Sequence, residues 1–186
     1  MSERRPVVIV PYNADWPSEF KALESVYVSA LGGLAARVEH VGSTSVPGLS
    51  AKPIIDIDVV IENRSILNEV IARLSGLGYR REGDLGVAGR EAFSADGATD
   101  VPRDGTGRHW MAHHLYVCAA DCAELDQHLR FRNWLRSNRD GAVAYGRLKA
   151  NLAGAFPNDR ERYTGGKKAF IEAALRAQRA HNSGRT

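Results

Sequence analysis

Residues 40–58 read HVGSTSVPGLSAKPIIDID and join two predicted β-strands. The first strand covers residues 37–41 and ends at a glycine-containing turn. The second covers residues 53–61, whose isoleucines and valines favour a strand. Because successive side chains of a strand alternate between its two faces, Asp56 and Asp58 are predicted to share one face, opposite the isoleucines. The stretch therefore brings two carboxylates together beside a turn.

The turn has the composition of a phosphate-binding loop. Gly42 lets the backbone approach an anion closely, and the N–H groups and hydroxyls of Ser43, Thr44 and Ser45 can donate hydrogen bonds to phosphate oxygens. The preceding His40 is interpreted in two ways, as a group that contacts phosphate or positions a general base, or as a packing histidine. The sequence thus predicts an anion site at the end of the first strand.

The acid pair has the composition of a divalent-cation site. Two carboxylates a few ångströms apart repel each other unless a cation neutralises them. Mg²⁺ prefers oxygen ligands, binds one or two carboxylates, and completes its shell with water and substrate phosphate. We therefore predict Mg²⁺, or Mn²⁺, at Asp56 and Asp58. A solvated sheet edge without a metal is the alternative interpretation.

Hydrophobic spacing in the rest of the chain predicts an α/β (α+β) fold, with a mixed sheet flanked by helices. One helix begins near Trp16 and a second near Ile66, and further strands are predicted at residues 89–94 and 113–118. The segment 96–108 is rich in glycine, aspartate and arginine. We predict it to be a mobile loop that could fold over a site.

The pattern becomes helical after residue 120. From Cys122 onward the apolar spacing predicts three helices. We therefore predict an α/β core at residues 1–120, C-terminal helices at 121–180 packed on that core as one compact unit, and a frayed tail at 181–186.

The composition is that of an ordinary globular protein with a mild preference for anions. Hydrophobic residues make up 44% and charged residues 25%, the net charge is +3, and the pI is about 9.0. The basic residues are interspersed with acids, so no nucleic-acid partner is expected. The two cysteines do not form a zinc motif, and no apolar stretch reaches membrane-spanning length. We expect a cytoplasmic protein without a membrane partner.

The chain also resembles the GrpB family, from about residue 7 to residue 175. The resemblance is carried by HVGSTSVPGLSAKPIIDIDVV and by shorter matches at Tyr12, Trp16-Pro17, 89–91, 113–115, Phe131-Arg132, Tyr145, Leu148-Lys149, Tyr163, Lys167 and Phe170-Ile171. It implies a nucleotidyltransferase-like fold related to DNA polymerase beta, in which the turn holds a triphosphate and the acids hold metal ions. Members of the family are sometimes fused to dephospho-CoA kinase, and their general biochemical role is poorly defined.

One part of the nucleotidyltransferase pattern is missing from this chain. Active enzymes of that superfamily carry a third carboxylate on a later strand, where this sequence presents His114 and Tyr116. Glu91, on the neighbouring predicted strand, is the candidate replacement, and His114 is a candidate for acid–base catalysis. The resemblance therefore leaves one metal ion, or none, as alternatives to two.

Basic residues in several elements extend the predicted site. Helices that fold back over the sheet would bring them round a polyphosphate or another anion. Ordinary surface charge is the competing interpretation. Tyr145 is predicted to stack on a base or ring, or to be part of the core. The cations expected to bind the ligand are Lys52, Arg90, Arg132, Lys149 and Lys167.

These features support three functional hypotheses. The first is a metal-dependent, nucleotidyltransferase-like enzyme that acts on a nucleotide or another phosphorylated or anionic small molecule. The second is an enzyme of specialised metabolism in which His40, His114, Glu91 or the acid pair performs acid–base chemistry, such as cyclisation, condensation or hydrolysis, without nucleotidyl transfer. The third is a non-catalytic module that binds a nucleotide or a CoA-like ligand.

Overall fold

A mixed sheet lies at the centre of the computed structural model, which describes residues 6–183. Within these residues the sheet has five strands in the order β1-β2-β5-β4-β3. Strands β2 and β5 are parallel, and the other neighbours are antiparallel. The predicted mixed sheet flanked by helices is therefore confirmed. The strands are β1 (Arg37–Val41), β2 (Ile55–Ile61), β3 (Arg80–Gly83), β4 (Arg90–Ser94) and β5 (His113–Ala119).

Helices cover both faces of the sheet. Two of them precede β5 in the chain and four follow it among the described residues. The sheet ends at Ala119 and the first C-terminal helix begins at Ala123, close to the predicted change of pattern. The helices are α1 (Trp16–Leu31), α2 (Leu67–Gly76), α3 (Ala123–Ser137), α4 (Arg139–Ala155), α5 (Arg160–Gly165) and α6 (Lys168–Ser183).

The main hydrophobic core lies between one face of the sheet and helices α1 and α2. Ile55, Ile57 and Val59 of β2 are fully buried there against Leu23 and Tyr27 of α1. Full burial of an isoleucine or leucine side chain is worth about 1.5–3 kcal/mol. This face of the sheet is therefore a structural layer, and functional groups must be sought on the other face.

The opposite face of the sheet packs against the C-terminal helices. Val60 and Cys118 contact Leu125 of α3 in a small apolar cluster. A second cluster joins Val46, after the turn, to Tyr145 of α4. The C-terminal helices are thus held over the end of β2 that carries Asp56, and a pocket remains between them and the sheet.

Two elements escaped prediction. Strand β3 consists of Arg-Arg-Glu-Gly, which lacks β-branched and aromatic residues. It is an edge strand, and charged side chains are typical of edges because they discourage pairing with other chains. Helix α5 has six residues, too few to give a clear apolar period. The C-terminal part therefore contains four helices within the described residues, where three were predicted.

The predicted loop at residues 96–108 does not cover the pocket. Val101 and Trp110 anchor it in the core formed with α1 and α2, on the other face of the sheet. Helix α6 continues to Ser183, and residues 184–186 of the predicted tail lie outside the described residues. Between residues 6 and 183, none of the helices combines the length and apolar character that crossing a bilayer requires.

A candidate anion-binding pocket beside the acid pair

The pocket is a cavity of about 630 Å³ between the turn after β1, the adjacent ends of β2 and β5, and the C-terminal helices. Its walls carry the turn residues Gly42 to Thr44, Asp56 of β2, His114 of β5 and His128 of α3. Lysines from the loop before β2 and from the C-terminal part complete the lining. Residues separated by more than a hundred positions thus meet in one cavity.

The turn is shaped by close contact with Asp56. Gly42 has φ +69°, a left-handed conformation that favours glycine. A β-carbon on Gly42 would lie 2.1 Å from Oδ2 of Asp56, so the backbone must lack a side chain at this point. Ser45 donates from Oγ to the Gly42 carbonyl at 2.6 Å and thereby closes the turn. Ser43 lines the pocket, and its hydroxyl has no hydrogen bond to the part of the chain that the structure describes.

The hydroxyls of Thr44 and Ser45 do not serve as predicted. Thr44 contacts the Nε2 of His40 at 3.0 Å and donates to the carbonyl of Ile54 at 3.3 Å. Ser45 is buried and does not line the pocket. Their hydroxyls hold the turn in shape, which leaves Gly42, Ser43 and the backbone of the turn to meet a ligand.

Asp56 faces the pocket and pairs with His114. The two residues are neighbours in the register of β2 and β5. Nδ1 of His114 donates to Oδ1 of Asp56 at 2.8 Å, and the side chains are 41% and 33% exposed. Burial alone would raise the pKa of Asp56, but the His114 hydrogen bond and the charge of Lys52 hold it below its usual value. Asp56 is therefore ionised, and the other ring nitrogen of His114 is available to the pocket.

Asp58 shares the face of Asp56, as predicted, but lies beneath the pocket. Its side chain is fully buried, and Oδ2 accepts a hydrogen bond from Nδ1 of His128 at 2.7 Å. Oδ1 is buried and has no partner among the described residues. Asp58 is therefore a buried acid that contacts the pocket indirectly, through His128.

His128 is the site residue that sequence reasoning missed. Its Nε2 lies 3.4 Å from Oε1 of Glu124, one turn earlier in α3, so both ring nitrogens face carboxylates. Burial opposes its charge, but the bonds to Asp58 and Glu124 raise the pKa of His128 to about 10. Its position could have indicated this role, because His128 follows Leu125 by three residues and so lies on the side of α3 that packs against the sheet.

Four lysines line the pocket, and three of them, Lys52, Lys149 and Lys167, are the lysines predicted to bind the ligand. The ammonium groups of Lys52 and Lys167 lie 5.6 and 4.8 Å from the centre of the Tyr163 ring. Lys149 is almost completely buried and donates to the carbonyl of Ser50. Burial and the charge of Lys167 lower the pKa of Lys149 to about 7, and burial also lowers the pKa of Lys52 and Lys167. A negatively charged ligand in the pocket would favour the charged forms of these lysines.

The two predicted arginines also line the pocket, but each has a protein partner. Arg132 donates to Oε2 of Glu39 at 2.7 Å and to the carbonyl of His40 at 3.0 Å. The guanidinium of Arg90 stacks 4.5 Å from the centre of the Tyr116 ring and lies 3.8 Å from Glu124.

Tyr145 lines the pocket too, and its ring is already stacked on Phe170. Tyr145 and the two arginines therefore form part of the pocket wall, and their side chains are already engaged by other protein groups.

Two predicted catalytic residues lie on the wrong face of the sheet. His40 is opposite Ile57 in the register, stacks on Phe20 of α1, and does not line the pocket. Burial lowers its pKa to about 4. Glu91 is opposite Val117, and Arg64 and Arg81 bind its carboxylate at 2.8 Å each. His40 is therefore a packing residue, and Glu91 does not supply the third acid.

The donors present do not fit the predicted metal centre at both acids. Asp56 reaches the pocket, but the Oδ2 of Asp58 is occupied by His128, and its Oδ1 is inaccessible. The positions of β5 beside the acids carry His114 and Tyr116. Among the side chains that the structure describes, up to residue 178, no group of three histidine, cysteine, aspartate or glutamate residues is placed to hold a metal ion. The unpartnered Oδ1 is the one feature that would suit a cation, and Mg²⁺ needs several further oxygen ligands.

We expect the Asp58–His128 pair to make the free energy of unfolding fall as the pH rises into the alkaline range. His128 has a folded pKa of about 10 against an ordinary value of 6.5. Its contribution is therefore complete below pH 6.5 and is lost as pH rises through about 10. Chemical denaturation should show the wild type losing on the order of 3 kcal/mol more than His128→Asn over this range. Equal pH slopes would contradict the charged pair.

The chain is similar to known proteins over most of its length. The family described as GrpB protein matches residues 6–177. The UPF0157 protein PA4798 of Pseudomonas aeruginosa is 37% identical over 169 residues, which cover 91% of this chain and 66% of that protein. A dephospho-CoA kinase of Mycolicibacterium paratuberculosis is 28% identical over 190 residues, covering 93% of this chain and 46% of the kinase. The chain thus spans between about half and two thirds of these two relatives.

A solved structure extends the similarity to the fold. GrpB from Enterococcus faecalis is 32% identical, with a TM-score of 0.76, and the match covers 91% of this chain and 96% of that one. This agreement confirms both the α/β architecture and the resemblance noted from the residues. The chain belongs to the GrpB family.

Proposed function

We propose that the pocket binds the phosphate groups of a nucleotide, or of another phosphorylated small molecule, and that the protein transfers a nucleotidyl group to an acceptor. The observation that carries this proposal is the convergence of Lys52, Lys149 and Lys167 on the cavity that contains Asp56. Six lysine and arginine side chains line the cavity beside three carboxylates, those of Asp56, Glu124 and Glu172, which leaves a surplus of positive charge. A polyphosphate is the ligand class that balances this surplus.

The turn after β1 supports the same ligand. Gly42 brings backbone without a side chain to the pocket wall, and beside it Ser43 places a hydroxyl that has no partner among the described residues. Backbone N–H groups and hydroxyls of this kind are suited to phosphate oxygens. The lysines and the turn line the same cavity, so one ligand could contact both.

The transfer half of the proposal rests on the Asp56–His114 pair. Because the Asp56 carboxylate only accepts hydrogen bonds, it holds the proton of His114 on Nδ1 and leaves the lone pair on Nε2. Nε2 can then take the proton of an acceptor hydroxyl or amine as the acceptor attacks the α-phosphate. The lysines neutralise charge on the departing pyrophosphate. No step of this reaction requires Glu91 or His40.

A second candidate function is acid–base catalysis without nucleotidyl transfer. It is favoured by the Asp56–His114 pair, since a carboxylate–histidine pair is suited to moving protons, and by the missing third carboxylate. In this case an anionic substrate other than a nucleotide would occupy the cavity, and His114 would still be the base. Release of pyrophosphate distinguishes the two candidates.

Calorimetry with variants of the lysines tests the binding half. We expect ATP to bind the wild type more tightly than AMP, and adenosine to bind weakly. Lys52→Met and Lys167→Met should each weaken ATP binding about tenfold, because each removes one charge-assisted contact. Lys21→Met is the matched control, since Lys21 is an exposed residue of α1 paired with Glu24. A coupled assay on the same samples measures pyrophosphate.

Each outcome of this experiment has a defined meaning. ATP binding with pyrophosphate release supports nucleotidyl transfer. ATP binding without release, across the common acceptor classes, supports a non-catalytic nucleotide-binding module. Equal binding of ATP and adenosine, or equal losses in Lys21→Met and Lys52→Met, overturns the phosphate site.

A further inference from the structure

His128 lies in the pocket wall between two carboxylates, those of Asp58 and Glu124. Nδ1 lies 2.7 Å from Oδ2 of Asp58, and Nε2 lies 3.4 Å from Oε1 of Glu124. An ionised carboxylate accepts hydrogen bonds and donates none, so the contact with Asp58 places a proton on Nδ1, and the Glu124 carboxylate beside Nε2 favours a second proton there. The imidazole ring is therefore a cation, held from one side by the sheet and from the other by its own helix.

The imidazolium of His128 occupies the side of the Asp58 carboxylate, at Oδ2, that a metal ion would have to reach from the pocket. The Asp58 side chain is fully buried, and His128 is 26% exposed and lines the pocket. A divalent ion that bound Oδ2 of Asp58 would have to displace the imidazolium, because two positive charges in contact with the same oxygen repel each other. The neighbouring positions of β5 offer His114 and Tyr116, so no further carboxylate compensates.

We propose that His128 supplies, at Asp58, the positive charge that a divalent cation would otherwise supply, and that the pocket binds its phosphorylated ligand without a cation at this position. The identity of the ligand class rests on the function proposed above. The assignment of the charge to His128 rests on the contacts of the pair alone. Removing the imidazole should consequently create a cation site between Asp58 and Glu124.

Titration of Mn²⁺ into the full chain, followed by electron paramagnetic resonance, tests this directly. We expect no micromolar Mn²⁺ binding by the wild type and a gain of at least tenfold in affinity in His128→Ala. Mn²⁺ should also raise the melting temperature of His128→Ala and leave that of the wild type unchanged. The double variant Asp58→Asn/His128→Ala should lose the gain. His109→Ala, at an exposed histidine outside the pocket, is the control.

A second measurement concerns the ligand. Inorganic triphosphate should bind the wild type with the same affinity, within twofold, in EDTA and in Mg²⁺, whereas binding to His128→Ala should become dependent on the cation. If His128→Ala does not fold, His128→Asn replaces it, because its amide can still donate to Asp58 without the charge.

The proposal is overturned if the wild type binds Mn²⁺ tightly and Asp58→Asn abolishes that binding. It is also overturned if a folded His128 variant gains no affinity for Mn²⁺, or if triphosphate binding to the wild type requires Mg²⁺ and Asp58→Asn removes that requirement. Absence of triphosphate binding under both conditions would instead contradict the proposed function, while the Mn²⁺ titration would still decide the role of His128.

Discussion

Gly42→Ala is expected to destabilise the protein by about 3 kcal/mol and to abolish ligand binding, because two costs add at this position. The first is the backbone of Gly42, whose φ of +69° and ψ of −170° are adopted essentially by glycine alone and cost another residue about 1–3 kcal/mol. The second is contact with Asp56. A β-carbon would lie 2.1 Å from Oδ2 and 2.9 Å from the β-carbon of Asp56, so rotating the carboxylate alone does not relieve it. Denaturant unfolding measures the loss.

Gly48→Ala separates these two costs. Gly48 has φ +76°, close to that of Gly42, but a β-carbon there would have no neighbour within 4 Å. We therefore expect only the backbone cost, about 1 kcal/mol, and no effect on ligand affinity. If both variants lost the same stability and both still bound ATP, the turn would not be pressed against Asp56 as the structure describes.

Asp56→Asn is expected to lower turnover at least 100-fold while the protein stays folded. An asparagine amide can donate to Nδ1 of His114, which would move the ring proton to Nε2 and leave no base facing the pocket. In serine proteases the corresponding change lowers kcat about 10⁴-fold for this reason. The substitution removes a negative charge from an anion site, so KM should stay the same or fall. Pyrophosphate release under saturating ATP measures kcat.

Asp126→Asn is the matched control for this prediction. Asp126 is an exposed acid of α3 that pairs with Arg130, outside the pocket. It should retain wild-type kcat, KM and melting temperature, since exposed pairs contribute little. Full pyrophosphate release by Asp56→Asn would show that the reaction does not depend on the pair with His114. A rise in KM with unchanged kcat would assign Asp56 to ligand binding instead.

Local patterns in the sequence were sufficient for the central strands and the turn. The alternation of β2 placed Asp56 and Asp58 on one face, and β1 has the predicted bounds. The turn at Gly42 follows β1 as predicted, whereas the close approach of its backbone to Asp56 was not predicted. The predicted features depend on neighbours within a few residues, so periodicity and turn chemistry suffice to predict them.

Only the tertiary structure decided which groups meet in the pocket. The sequence does not say which face of a sheet a given helix will cover. His40, for which packing was one of two interpretations, and Glu91, the candidate third acid, therefore lie on the face opposite the pocket. His128 meets Asp58 across 70 positions. That contact depends on how α3 packs on the sheet. The alternation of the strand was thus enough to find Asp56 and Asp58. The partner of Asp58 is a histidine where a metal ion was expected, and packing between distant segments brings that histidine there.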